Sequence, residues 1–224
     1  MAYNHYTDIR VKGKALASAD PGDPTGSNVT GDEAMLLGRA VGAVHRTNSR
    51  LAETLRLAIS FPGLDVEGRG PGARLRIFGT TAELERFRED HGAFICAGGV
   101  MEMSTVREVP EDCVSFVAYV RARESEKLTD SAILRGQDRL ERRMTERGES
   151  RTEIAEALIR FLRHRLGERQ GRRGTPAFLR MMSGSTGQIF SILIERIDLS
   201  GAHQGEVNIY GLSKASQPHG LPVF

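Results

Sequence analysis

The chain has 224 residues, with 31 Lys and Arg against 29 Asp and Glu and a formal net charge of +2. A hydrophobic share of 39% beside 27% charged residues is an ordinary globular balance; it excludes wholesale disorder and gives a core that needs no staples. Cys96 and Cys113 make no disulfide framework and lack metal-ligand spacing, no apolar run approaches the ~18 residues of a membrane span, and the polar N-terminus has no signal-peptide core, so a soluble cytoplasmic protein is expected.

Along the chain, Tyr6 to Val11 alternates as a strand, with Thr7, Ile9 and Val11 on one face and Tyr6, Asp8 and Arg10 on the other. Residues 18–31, rich in Gly, Pro, Ser, Asp and Thr, read as a loop. Thr30-Gly-Asp-Glu33 matches a capping box and opens a helix with Leu37, Val41 and Val44 on one stripe. Leu55 to Phe61 alternates again, a Gly/Pro loop follows over 62–73, and Arg74 to Phe78 makes a short strand. Thr80-Thr-Ala-Glu83 is a second capping box, for a helix to about Asp90, and Val100 to Val109 fits another strand. The order β-α-β-β-α-β predicts an α+β chain whose N-terminal domain, 1–112, is ferredoxin-like, an arrangement RNA-recognition domains share. The RNP1 aromatic signature is missing. With 6% aromatics and no Trp, a platform stacking several bases is not expected.

A second domain, 113–224, is also read as α+β, with an arginine-rich helix. Val114 to Val120 fits a strand, helices fit 131–147 and 152–166, and a Gly/Arg loop covers 167–174. A hydroxyl-Gly turn, Ser183-Gly-Ser-Thr-Gly187, precedes a strand from Ile189 to Ile197, and Val207 to Leu212 reads as the last strand. No internal repeat occurs.

The basic residues are 27 Arg and only four Lys, and seven Arg against the single acid Glu168 fall within 157–182. Arg offers a planar five-donor fork suited to phosphates, though a codon bias toward Arg explains the preference equally well; the concentration of positive charge in the C-terminal half points to an anionic partner. On the 131–147 helix, Arg135, Arg139, Arg142, Arg143 and Arg147 fall within about 140° of arc, beside Ile133, Leu140 and Met144. Such a stripe can track duplex phosphates, or it can be a solvated face laced by Asp138–Arg142 and Arg142–Glu146 pairs. His45 lies one step round from the Val41/Val44 stripe, where it is either a structural histidine or a proton carrier near neutrality. The Ser183–Gly187 turn is either a plain turn or a cradle for phosphate or ribose, and Tyr210 reads alone as a core-edge tyrosine. Glycine-rich nucleotide loops, zinc-binding helix motifs, nucleophile elbows and clustered carboxylates do not occur.

His5-Tyr-Thr-Asp-Ile-Arg10, Ile59-Ser-Phe-Pro-Gly-Leu-Asp65, Arg74-Leu-Arg-Ile77, Ser183-Gly-Ser-Thr-Gly-Gln188 followed by Phe190, and Tyr210-Gly-Leu-Ser-Lys214 stand in that order, before a final Pro222-Val-Phe224. Together they resemble the repeat-processing endoribonuclease of type I-F CRISPR systems over nearly the whole chain. The resemblance implies a ferredoxin-like N-terminal domain and a helix entering the major groove of the repeat hairpin. It implies metal-independent cleavage at the 3′ base of the stem, leaving a cyclic phosphate, without metal or cofactor. The expected partners are the repeat RNA hairpin and the other protein subunits of the surveillance complex, not a membrane. The catalytic residues it implies are His45, Ser183 and Tyr210, and Phe190 is the aromatic under the terminal base pair. The implied RNA-binding set is Arg121, Arg123, Arg135, Arg139, Arg142, Arg143, Arg147, Ser185, Thr186, Gln188, Phe190 and Lys214. Glu146 replaces an arginine of the family helix, and Tyr119 and Arg121 occupy the base-reading linker positions. The rival reading is a non-catalytic hairpin-binding subunit, which needs the arginine helix but not His45.

Overall fold

The computed structural model describes residues 3–12, 27–64, 70–170 and 177–224, with the side chains of the first helix described from residue 33. Strand β1 (His5–Val11) leads to helix α1 (Ser27–Asn48), strands β2 (Ala58–Ser60) and β3 (Arg74–Gly79), helix α2 (Thr81–Ile95), and the short strands β4 (Met101–Met103) and β5 (Arg107–Glu108). They form one antiparallel sheet in the order β2-β3-β1-β4, with β5 also paired to β1. Strand β6 (Phe116–Arg121) precedes helices α3 (Arg123–Glu126), α4 (Asp130–Glu146) and α5 (Arg151–Gln170). Strands β7 (Ala177–Met182), β8 (Ile189–Leu199) and β9 (Leu221–Pro222) follow, and the second antiparallel sheet runs β7-β8-β6-β9. The α+β class and the β-α-β-β-α-β order of the first half are as expected. Two compact units result: Met1–Arg121 with Pro176–Phe224, which holds both sheets, and Ala122–Thr175, which holds α3 to α5.

Helix α1 organises the larger unit. Leu37, Val41 and Val44 are fully buried as their stripe requires, and so are Ala34, Ala40 and Ala43. The small residues widen the buried face because the helix packs against both sheets, joining Ile9 and Ile77 of one to Leu179 and Ile192 of the other in a single core. At Gly38 the approach is so close that a Cβ would lie 1.9 Å from the Arg180 carbonyl oxygen, so only glycine fits. Each fully buried Leu or Val here contributes about 1.5–3 kcal/mol, which fixes the register of the helix against β7.

Local chemistry accounts for several element ends. The Thr80 hydroxyl accepts from the Glu83 N–H while the Glu83 carboxylate accepts from the Thr80 N–H, so the expected capping box of α2 is present. That helix continues past Asp90 to Ile95, which packs into the core. The backbone of α1 already runs as helix from Ser27, so Thr30 lies inside it rather than at its cap. Of the loop read over 18–31, residues 18–26 lie outside the described residues. The Leu55–Phe61 stretch yields only a three-residue strand, because Glu53–Leu55 coil into a 3-10 turn. The buried Asn48 side chain pairs with Leu57, donating to its carbonyl at 2.9 Å and accepting from its N–H at 2.8 Å, in place of a strand neighbour. The strand expected over Val100–Val109 is split, since the Ser104 hydroxyl takes the Asp8 N–H at 2.9 Å and interrupts the ladder.

The Tyr6/Asp8 face of β1 is covered rather than solvated. Asp8 and its cross-strand neighbour Arg76 are a buried bidentate pair at 2.8 and 3.1 Å, and Arg76 also donates to the Phe224 carbonyl at 3.0 Å. The guanidinium sits over the Tyr6 and Phe224 rings, which satisfies a charge that would be costly to bury alone.

In the smaller unit, α4 and α5 form a hairpin across Gly148, whose φ of 75° suits a left-handed cap. Ser150 and Glu153 form a capping box for α5, and Gly136 lets the Phe161 ring approach to 2.7 Å from where a Cβ would stand. Helix α5 extends to Gln170, so the loop read from 167 begins later; 171–174 lie outside the described residues.

Candidate active site

His45 projects from the last turns of α1, and Tyr210 meets it from a turn near the end of the chain. Their rings are stacked, with centroids 4.5 Å apart and planes 13° from parallel. The stretch Val207–Leu212, expected as a strand, is this turn instead. The Asn208 side-chain oxygen accepts from the N–H groups of Tyr210 at 2.8 Å and Leu212 at 3.3 Å, and Gly211 adopts φ 81°. An Asn that hydrogen-bonds forward and a glycine in the left-handed region are turn chemistry, which overrides the apolar alternation. The turn is pinned to the core, since the Gly211 carbonyl accepts from Ile59 N–H at 2.9 Å.

Burial lowers the His45 pKa below its ordinary 6.5; a backbone hydrogen bond at Ile209 opposes this, and the Arg46 charge adds to it. The imidazole is therefore neutral at neutral pH and able to accept a proton. Its Nδ1 is buried and has no hydrogen-bond partner among the described residues. A neutral imidazole stacked on a tyrosine ring can accept a proton from a group that reaches it.

Ser183 opens the six-residue connection between β7 and β8. Its backbone N–H donates to the Gln188 carbonyl and its carbonyl accepts from Gly187 N–H, both at 2.9 Å, which closes the turn. Gly187 supplies the required φ of 66°. The Ser183 hydroxyl lies 3.2 Å from that of Ser185 and accepts from Thr186 N–H at 3.3 Å. Ser185, Thr186 and Gln188 are exposed, and Phe190 is half-buried with its ring against the core. Among the described residues, no hydrogen bond joins Ser183 to His45 or Tyr210; what the fold brings into contact is the His45–Tyr210 pair.

The arginine stripe is present on α4. Ile133 is buried and Leu140 and Met144 half-buried, while Arg135, Arg139, Arg142, Arg143 and the C-cap residue Arg147 are exposed. None of these five forms an ion pair among the described residues, and the Asp138–Arg142 and Arg142–Glu146 pairs of the solvated-face alternative are not made. Arg123, at the start of α3, is exposed, and Arg121, the last residue of β6, is half-buried. Lys214 stands apart: it pairs with Glu206 and, at 3.3 Å, with Glu53, and these carboxylates raise its pKa. Tyr119 is buried, with its hydroxyl donating to the Phe61 carbonyl at 3.0 Å and its ring edge-on to Phe61.

The profile of the CRISPR-associated protein family Cas_Csy4 matches residues 29–224. The chain belongs to this family. No curated protein matches the sequence closely enough to count as a relative. Membership makes the Cas_Csy4 chain a CRISPR-associated protein of the repeat-processing step. Among its described residues, no group of three or more His, Cys, Asp or Glu is placed to hold a metal ion, and no helix is long and apolar enough to cross a membrane.

Three contributors to this Cas_Csy4 site were missed in the sequence. Asn208 and Gly211 shape the turn under Tyr210, and Asn-x-x-Gly within an apolar run was the available signal. Arg46 acts on His45 from the adjacent position, and nothing in a linear pattern marks it.

Proposed function

We propose that this protein is a metal-independent endoribonuclease that binds the CRISPR repeat stem-loop and cuts precursor RNA at the 3′ base of the stem. The observation that carries this reading is the stacked His45–Tyr210 pair with its burial-lowered histidine pKa. His45 takes the proton of the ribose 2′-hydroxyl, whose oxygen then attacks the adjacent phosphorus. The new P–O bond forms as the bond to the 5′ oxygen breaks, leaving a 2′,3′-cyclic phosphate, and the departing oxygen takes up a proton. Tyr210 holds the imidazole plane and Ser183 orients the ribose. The exposed arginines of α4 hold the stem, Phe190 stacks at its foot, and Arg121, Arg123 and the Ser185–Gln188 hydroxyls and amide make further RNA contacts. Residues 1–112 thus carry the base and 113–224 the RNA-binding surface. The product stays bound, and the protein acts in the cytoplasm as a subunit of the type I-F surveillance complex.

The test is cleavage of a cognate hairpin in EDTA by the wild type and His45→Ala. The variant should keep hairpin affinity within about tenfold while cutting at least 10²-fold more slowly, the lower range for a positioned general base. A 2′-deoxyribose just 5′ of the scissile phosphate should block the wild type. Normal cutting of that deoxy substrate would make an external water the nucleophile and refute the roles given to all three residues. Unchanged cleavage by His45→Ala would refute the base assignment alone.

A further inference from the structure

Beside the candidate active site, a groove of about 360 Å³ lies between α1 and the β7–β8 end of the second sheet, within the larger compact unit. Its walls are apolar and unusually exposed for their type: Met182 is 74% exposed, Ile189 68%, and Met35 and Phe94 48% each. Its charges have one sign. Arg39, Arg46 and Arg180 line it, and no acidic residue does among the described residues. Arg39 is fixed, with its guanidinium 4.2 Å from the Phe94 ring centroid and donating to the Phe94 carbonyl, and Arg46 reaches the same ring at 5.5 Å. The Arg39 Nε is buried without a hydrogen-bond partner among the described residues. Two of its lining residues, Arg46 and Met182, are the chain neighbours of His45 and Ser183.

An apolar floor with an aromatic ring, rimmed by arginines only, is what a single-stranded nucleic acid needs: faces for bases to stack on and cations for its phosphates. A protein segment would use the floor but leave three arginines to find acids of its own. We propose that this groove binds the single-stranded flank of the repeat on the 3′ side of the scissile phosphate, the strand that leaves the stem past His45. The inference rests on the proposed function and extends it: the stem gives register, and the flank in the groove holds the scissile phosphate from its other side.

The experiment uses the full chain and a hairpin made uncleavable by 2′-deoxyribose at the cut nucleotide, with or without a four-nucleotide 3′ extension. The extension should tighten binding about tenfold, a modest gain for one stacked base. Phe94→Ala and, separately, Met182→Gln should erase that gain while leaving affinity for the flankless hairpin unchanged; both residues are exposed enough for the variants to fold. An extension without effect, or an equal gain from a 5′ extension, overturns the proposal. So does a flank effect that survives in both variants while they fail to join the complex's protein subunits, which would assign the groove to a protein partner. Absence of hairpin binding by the wild type overturns the proposed function itself, and this inference with it.

Discussion

Gly211→Ala tests whether the Tyr210 turn is what arms His45. The residue sits at φ 81°, a region that costs a side-chain-bearing residue roughly 1–3 kcal/mol. An added Cβ would stand 2.9 Å from an Ile59 methyl, 3.1 Å from the Leu57 carbonyl oxygen and 3.2 Å from a Val44 methyl. The methyls can give by tenths of an ångström. The carbonyl cannot, because Leu57 is tied to Asn48 on both its N–H and C=O. Overpacking of this kind costs about 1–3 kcal/mol more, so the total loss should be about 2–6 kcal/mol. Relief must come from the turn, which would carry Tyr210 off the His45 ring. Urea unfolding reads the stability, and single-turnover cleavage should fall by about tenfold or more if the stack orients the base. Gly92→Ala is the control, since nothing lies within 4 Å of its Cβ position and alanine in a helix is neutral to stabilising by up to about 1 kcal/mol. A Gly211→Ala protein within about 0.5 kcal/mol of wild type that cuts at the normal rate would refute the reasoning, because surface changes alone stay within that range.

Arg142→Ala with Arg143→Ala should weaken hairpin binding by several kcal/mol in total, at roughly 1.5–3 kcal/mol per charge-assisted contact, and should flatten the salt dependence measured by titration at several ionic strengths. Three histidines set the pH response: partial or full burial lowers the pKa of His45, His91 and His219 below 6.5. The unfolded chain therefore binds more protons just below pH 6.5, so their contribution to stability is present above that pH and is lost as pH falls through the folded values. Urea midpoints at pH 7.5 and 5 should show that loss. For the same reason, the acid limb of the cleavage profile should have its midpoint below 6.5, and a midpoint above 6.5 would mean the base is not His45.

What the sequence could reveal is what neighbours along the chain decide. Thr80-x-x-Glu83 caps α2 because both partners lie within one turn, and the arginine stripe of α4 follows from 3.6-residue periodicity. The paired α1 stripe was legible for the same reason. Its second buried face was not, because the close approach of Gly38 to Arg180 joins segments far apart in the chain. Val207–Leu212 was misread because apolar alternation outweighed one Asn and one Gly whose hydrogen bonds depend on the turn itself. The His45–Tyr210 contact came only through family resemblance, since no local pattern links a helix near the start of the chain to a turn near its end.

The two tasks of the proposed enzyme are served by opposite kinds of structure, and the physics of each task explains why. Proton transfer tolerates little misplacement, so its groups sit where backbone and core over-determine them: His45 on a helix buried against two sheets, Tyr210 on a turn locked by Asn208, Gly211 and Ile59. Holding a phosphate backbone depends on the release of counterions and on long arms that can follow the strand. Arg135, Arg139, Arg142, Arg143 and Arg147 accordingly stay exposed on α4 and free of carboxylates among the described residues. Pairing them with the nearby Asp138 and Glu146 would gain only about 0.3–0.5 kcal/mol per pair, far less than the same arginines gain on RNA. A stripe kept unpaired at so small a cost fits the proposed RNA partner, and a histidine whose pKa burial lowers fits the proton transfer proposed for it.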